Sequence, residues 1–313
     1  MGASSFGCCD RVGQVYPCSS LRKPAPDGTN PSIPAQRTDK ERPPPMQLEV
    51  LRAPARGTPR PVDLLLVHGI CVGAWIWERH FLPGLAAAGY NVHALSLRGH
   101  AGSPGRDGLH GYGLAHYAED VRAVAAEIGR PVVVVGHSLG GAVVQTAIAG
   151  GARFAGAVLM ASVPPYGLWP ANLAMLTRHP RLWREVAVMS VAGVRHADPA
   201  VLRDGLFANR ISAAEFAAFA ARAHDESRFI GLELQGWRPF APPAWMAPPM
   251  LVMGGGEDRF VGLSDLWMTA AWYGTNPDVL PGLSHTMMMD PDWPRALDCI
   301  LAWLERNQVS GGG

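Results

Sequence analysis

The stretch that most constrains this chain is Gly136-His137-Ser138-Leu139-Gly140. It follows the apolar run Pro131-Val132-Val133-Val134-Val135 and precedes Gly141-Ala142-Val143-Val144-Gln145-Thr146-Ala147-Ile148-Ala149. The pattern reads as a buried strand, a sharp turn and a helix. At such a turn strand and helix come so close that side chains at positions 136 and 140 would collide, so glycine is the residue that fits. Ser138 then sits at the tip of the turn, near the positive end of the helix, with its hydroxyl exposed. Glycine and serine are common, and G-x-S-x-G alone also describes an ordinary strand-to-helix turn. The four valines before it and the helix after it make Ser138 a candidate nucleophile.

The rest of the chain supplies a fold that can hold such a turn. Of its 313 residues, 48% are hydrophobic and 17% charged, enough for one large core with an insertion. Lys plus Arg (27) nearly equals Asp plus Glu (26), so charge gives no case for binding nucleic acid or an anionic membrane. No apolar run approaches the roughly 20 residues of a membrane span. Residues 1–45 differ from the remainder. They hold 8 of the 28 prolines, 3 of the 5 cysteines and no tryptophan, and are expected to form a disordered Pro-rich tail. The cysteines form no CxxC pair and their number is odd, which fits free thiols in a reducing cytoplasm. A homodimer is left open.

From residue 46 onward, apolar strands alternate with helical spacing. Strands are expected at 47–51, 62–67, 91–97, 131–135, 154–160, 250–253 and 276–280. Helices are expected at 77–88, 116–128, 263–272 and 294–305. Continuous apolar strands between helices imply a mostly parallel α/β sheet covered on both faces. Between residues 162 and 246 the rhythm changes to helix alone. Asp198-Pro199 reads as a helix start, and Ser212-Ala213-Ala214-Glu215 as a capping box. The expected organisation is therefore an α/β core of residues 46–161 and 247–313 with a helical cap of residues 162–246.

A serine hydroxyl needs a base to attack a carbonyl, and the base needs a partner to orient it. In parallel sheets functional groups gather at the carboxyl ends of strands. Asp258 follows the strand near 250, and His285 follows the strand near 276. Glu257 and Asp265 are rivals for the acid; Glu257 has a longer side chain pointing elsewhere, and Asp265 starts the next helix. A tetrahedral intermediate also needs donors for its oxyanion. The Leu139 N–H, just after the nucleophile, is one. The Ile70 N–H, in the loop His68-Gly69-Ile70 after the second strand, is the other, with Gly69 leaving room for substrate. His68 reads as a buried structural histidine. His137 shapes the site or contacts substrate and is not the base.

His68-Gly69 with Gly73-Ala74-Trp75, the Gly136–Gly141 stretch, Asp258, and Gly282-Leu283-Ser284-His285, in the order serine, acid, histidine, resemble the α/β-hydrolase fold superfamily. The chain looks most like its serine carboxylesterases and lipase-like hydrolases with a helical cap, over about residues 47–307. The resemblance implies a sheet of about eight strands, of which the sequence places seven. The eighth would need an edge hairpin between residues 51 and 61.

The expected activity is a serine esterase, catalytic through Ser138, Asp258 and His285, acting without a cofactor on a small to medium apolar ester. Trp169 from the cap and Met287 beside His285 are expected to join Gly69 and His137 in contacting substrate. The same three residues serve lactone or carbon–carbon bond hydrolysis, haloperoxidase or hydroxynitrile lyase chemistry. A ligand-sensing protein on the same fold is the non-enzymatic alternative. Cap residues set the substrate, and no Lys or Arg stands out for recognising an anion.

Overall fold

The computed structural model describes residues 46–307; the expected N-terminal tail lies outside them. The strands are β1 (Val50–Ala53), β2 (Asp63–Val67), β3 (Val92–Leu95), β4 (Val132–His137), β5 (Gly156–Met160), β6 (Met250–Gly255) and β7 (Pro277–Leu280). They form one sheet in the order β1-β3-β2-β4-β5-β6-β7, parallel except for β1, which runs antiparallel to β3. The helices of the core are α1 (Phe81–Ala87), α2 (Leu114–Ile128) and α3 (Leu139–Ala149). Between β5 and β6 lie α4 (Trp169–Arg178), α5 (Pro180–Ala192), α6 (Pro199–Phe207), α7 (Ala213–Arg222) and α8 (Arg228–Glu233). The chain ends with α9 (Leu263–Trp272), between β6 and β7, and α10 (Trp293–Arg306).

Among the described residues the sheet has seven strands, close to the about eight that the resemblance implies, and the edge hairpin that an eighth would need does not form. The missing edge hairpin has a local cause. Pro54, Pro59 and Pro61 have no N–H to give to a ladder, and Gly57 turns the chain at φ 87°. The segment from residue 54 to residue 61 therefore crosses to β2 as an irregular connection.

Strand side chains alternate between two cores. Leu64 and Leu66 of β2, with Val133 and Val135 of β4, pack toward α1 and α10, where Phe81, Leu85, Leu297, Ile300 and Trp303 meet them. Leu65, Val67, Val132 and Val134 face α2 and α3, with Tyr117, Val121, Val143 and Val144. The central strands β2, β4, β5 and β6 are buried along their whole length, which is why they read as unbroken apolar runs.

The inserted helices begin where short-range signals place them. The Asp198 carboxylate accepts from the N–H groups of Ala200 and Val201, with Pro199 as the first helical residue of α6. At α7, Ser212 and Glu215 satisfy each other's backbone N–H groups. Among the described residues, no helix is long and apolar enough to cross a membrane.

Strand order reverses beside β2, because β3 lies on one side of it and β4 on the other. Such a switch point opens a crevice at the carboxyl ends of the two strands. Val67, the last residue of β2, is paired with Gly136 of β4, so the loops that follow them are neighbours. Leu280 of β7 is likewise paired with Gly255 of β6.

Candidate active site

Ser138 is the residue between β4 and α3, with φ 52° and ψ −115°. Such a backbone costs a non-glycine residue on the order of 1–3 kcal/mol and persists only where the surroundings hold it. Here the Ser138 N–H donates to the Met160 carbonyl (3.1 Å), and its carbonyl accepts from Gly141 (3.0 Å) and Val163 (3.1 Å). A Cβ on Gly136 would lie 2.5 Å from the Gly140 carbonyl oxygen. One on Gly140 would strike the carbonyls of Val67 and His68, the latter at 2.6 Å. The two glycines therefore serve different contacts: the first lets helix meet strand, and the second lets the turn meet the end of β2.

His285 follows β7, and its Nδ1 lies 2.8 Å from Asp258 Oδ2. The other carboxylate oxygen of Asp258 accepts from the N–H groups of Phe260 (2.8 Å) and Val261 (2.9 Å). Both side chains are almost fully buried. With Nδ1 donating to the carboxylate, Nε2 is left as the basic nitrogen of the ring. The Phe260 ring packs against the imidazole at a tilt of 38°, with centroids 4.9 Å apart. Neither rival acid is in this position. Glu257 is exposed. Asp265 sits in the first turn of α9, where it accepts from the Tyr166 hydroxyl (2.8 Å) and the Gly262 N–H (3.3 Å).

His68 is fully buried with both nitrogens engaged. Nδ1 donates to the Gly69 carbonyl (2.7 Å), and Nε2 accepts the Leu97 N–H (3.0 Å). Burial, followed by the nearby His100, lowers its pKa to about 3, so the ring is neutral. This bond sets a peptide plane. In a trans peptide the N–H points opposite to the C=O, so anchoring the Gly69 carbonyl on His68 turns the Ile70 N–H the other way. The Leu139 N–H opens α3, where the first N–H groups have no carbonyl within the helix.

His137 lies beneath this arrangement. Its Nε2 donates to the His285 carbonyl (3.0 Å), while its Nδ1 has no protein partner. Burial, then the neighbouring His285, pushes its pKa well down, so it is neutral. Gly69 packs directly on it: a Cβ there would lie 2.9 Å from His137 Nδ1.

Gly69, Ile70, His137, Ser138 and His285 open onto one cavity of about 310 Å³. Its other walls are mostly apolar and come largely from between β5 and β6: Met189, Val194, Leu202, Leu206, Phe216 and Phe219. Among the described lining residues, Arg195 carries the only permanent charge. The sequence offered no signal for it, because only the short turn between α5 and α6 brings it to the rim. Two expected contacts do not line this cavity. Trp169 is 59% exposed at the start of α4. Met287 is fully buried in the core under the sheet, because the chain after His285 turns inward. Among the described residues, no three His, Cys, Asp or Glu side chains gather as metal ligands.

Residues that sequence reasoning passed over hold the loops in place. Asp290 is fully buried; it accepts from the Ser284 hydroxyl (3.1 Å) and pairs with Arg210 (3.1 Å), bracing the turn before His285. Gln145 on α3 donates to the Gly141 and Val163 carbonyls at 3.2 and 2.9 Å, tying the start of α3 to the loop after β5.

Comparison with known proteins gives the same family at two levels. Residues 64–296 match the profile described as the alpha/beta hydrolase family. A non-heme haloperoxidase from Rhodococcus erythropolis is 31% identical over 251 residues, covering 74% of this chain and 87% of that protein. A monoacylglycerol lipase from Mycolicibacterium smegmatis is 28% identical over 256 residues, covering 77% of this chain and 87% of its own. Among solved structures, a thermophilic esterase from Thermogutta terrifontis superposes with TM-score 0.62 over 83% of this chain and 94% of that one. At 19% identity it shows the shared fold alone.

Proposed function

The chain belongs to the alpha/beta hydrolase family, and from that premise we propose that it is a serine carboxylesterase acting on small to medium apolar esters. The reading rests on one observation above the others. The imidazole bound to the Asp258 carboxylate at 2.8 Å opens onto the same apolar cavity as Ser138.

In this reading His285 Nε2 takes the Ser138 proton as the oxygen attacks the ester carbonyl. The N–H groups of Ile70 and Leu139 hold the oxyanion that develops. His285 returns the proton to the leaving alcohol, and water repeats the cycle on the acyl-enzyme. Asp258 keeps the proton on Nδ1 and stabilises the imidazolium. Residues 162–246 act as a cap, and the acyl chain lies among Leu202, Phe216 and Phe219. Gly69 and His137 form the floor beneath the reacting carbonyl.

The likeness to a haloperoxidase favours one second reading: the same acyl-enzyme opened by hydrogen peroxide instead of water. Both readings are tested with a panel of aryl esters of rising chain length, with and without peroxide and bromide (which the peracid would oxidise to the halogenating species), on wild type and Ser138→Ala. We expect ester hydrolysis by wild type, with a loss of about 10⁵–10⁶-fold in kcat for the variant. Esterase activity that survives the substitution would sink the proposal. Halogenation that exceeds hydrolysis would move the assignment to the second reading.

A further inference from the structure

The loop carrying Ile70 is held by the helical insertion as well as by His68. The next residue, Cys71, has φ 62°, a left-handed backbone unfavourable for a side chain with a Cβ. Both of its backbone groups are engaged by one segment preceding α8. Its carbonyl accepts the His224 N–H (2.9 Å), and its N–H donates to Glu226 (3.4 Å).

Glu226 is a hub. Besides Cys71, its carboxylate accepts from His100 Nε2 (3.0 Å), the Tyr117 hydroxyl (2.8 Å) and the Ser227 N–H (2.8 Å). His100 Nδ1 faces the Arg98 carbonyl at 3.0 Å. Two acceptors on one ring are satisfied together only by the imidazolium, so His100 and Glu226 form an ion pair. The His100 side chain is fully buried and that of Glu226 is 12% exposed. A buried ion pair adds little net stability over an apolar pair of the same shape; what it secures is register. The register here is between the loop after β3, the inserted segment and Cys71.

We propose that Glu226 is a positioning residue for catalysis: by fixing Cys71 against His100 it keeps the Ile70 N–H aimed at the oxyanion. This rests on the serine-hydrolase reading above. Its consequence is that the insertion contributes to stabilising the transition state as well as to shaping the cavity. The Ile70 peptide is then clamped at both ends, by His68 on the Gly69 carbonyl and by residues 224 to 226 on Cys71.

Glu226→Gln tests this with little change of shape. An amide places an NH₂ at one of the two carboxylate oxygens. In one orientation that NH₂ faces the Cys71 N–H, and in the other it faces the Ser227 N–H. Either way a donor meets a donor. The readouts are kcat and KM on a short aryl ester, and the affinity for a trifluoromethyl ketone, which forms a tetrahedral oxyanion on the serine. A displaced oxyanion donor predicts a kcat about 10- to 100-fold lower, KM within about 3-fold, and ketone affinity reduced in step with kcat/KM. Tyr117→Phe removes a single donor to the carboxylate and retains the ring. It should lower kcat about 3-fold at constant KM, and it gives the answer if the first variant fails to fold.

Unchanged kcat in a folded Glu226→Gln, or a rise in KM alone, overturns the proposal, as does an unchanged Tyr117→Phe. A wild type inert to esters, whose Ser138 does not react with a fluorophosphonate, overturns the parent reading instead and takes this one with it.

Discussion

His285 donates from Nδ1 to one oxygen of Asp258 at 2.8 Å, while the other oxygen of that carboxylate holds the N–H groups of Phe260 and Val261. The carboxylate therefore cannot rotate without giving up two backbone bonds. It fixes both the direction of the imidazole and the nitrogen that carries the proton.

Asp258→Asn should separate these two effects. The amide can keep its oxygen on Phe260 and Val261, which presents an NH₂ to His285 Nδ1 and forces the wrong tautomer. We expect kcat to fall about 10⁴-fold with KM nearly unchanged and the urea midpoint close to wild type. Retention of more than about a tenth of wild-type kcat would argue against the assigned role.

Gly140→Ala tests the turn itself. The added methyl meets two backbone carbonyls at the end of β2, and neither can move without disturbing the central sheet. We expect a loss of about 3 kcal/mol in urea unfolding, with activity lost together with the serine geometry. A loss below about 1 kcal/mol would show that the turn relaxes freely.

Met189→Ala addresses chain length. The Met189 sulfur lies 4.0 Å from Cys71 Sγ. These two residues and Ile70 are shared by the main cavity and a second one of about 120 Å³. Removing the thioether should join the two spaces. The ratio of kcat/KM for long-chain over short-chain esters is expected to rise about 10-fold in an ester series. An unaltered profile would mean that acyl chains do not reach this wall.

Stability should fall with pH below neutrality. Burial first, and then charge on His100, hold His68 at about 3 and His224 at about 4, and His137 is also held well below the ordinary 6.5. The unfolded chain takes up protons at these sites below about pH 6.5 and the fold refuses them, so each removes up to about 1.4 kcal/mol per pH unit down to its folded pKa. His100 acts in the opposite sense. Burial alone would lower its pKa, but Glu226 raises it, so its contribution is complete below 6.5 and is lost as pH rises through the raised value. Glu226 itself is disfavoured by burial yet brought to about 2 by His100, Ser227 and Tyr117. Its contribution is present above the ordinary 4.5 and disappears as pH falls toward 2. Arg106 faces both His100 and His224 and disfavours their protonation. The lowered histidines, with His80 also lowered by burial and then Arg79, outweigh the one raised, so urea unfolding at about pH 5 should give a smaller free energy than at about pH 7. An equal or larger value would contradict these protonation states.

Much of the fold was legible in the chain because its signals are local. Four consecutive valines, the capping pairs at Asp198 and Ser212, and the prolines between residues 54 and 61 act over a few residues. The order of strands and helices followed from them, and with it the loops in which an acid and a histidine could stand. The preference for Asp258 over Glu257 rests on side-chain length and direction along the chain, whereas the contact with His285 itself depends on the pairing of β6 with β7.

What sequence determined by itself was the strand–turn–helix around Ser138 and the alternation that builds a parallel sheet over two cores. Tertiary structure alone decided where Trp169 and Met287 went, which insertion residues line the cavity, and that His100 and Glu226, 126 positions apart, share a proton-dependent contact. The physical reason is the packing of the helices between β5 and β6. Apolar residues on those helices face the sheet, one another and solvent alike, so spacing along the chain does not say which face will close over the serine.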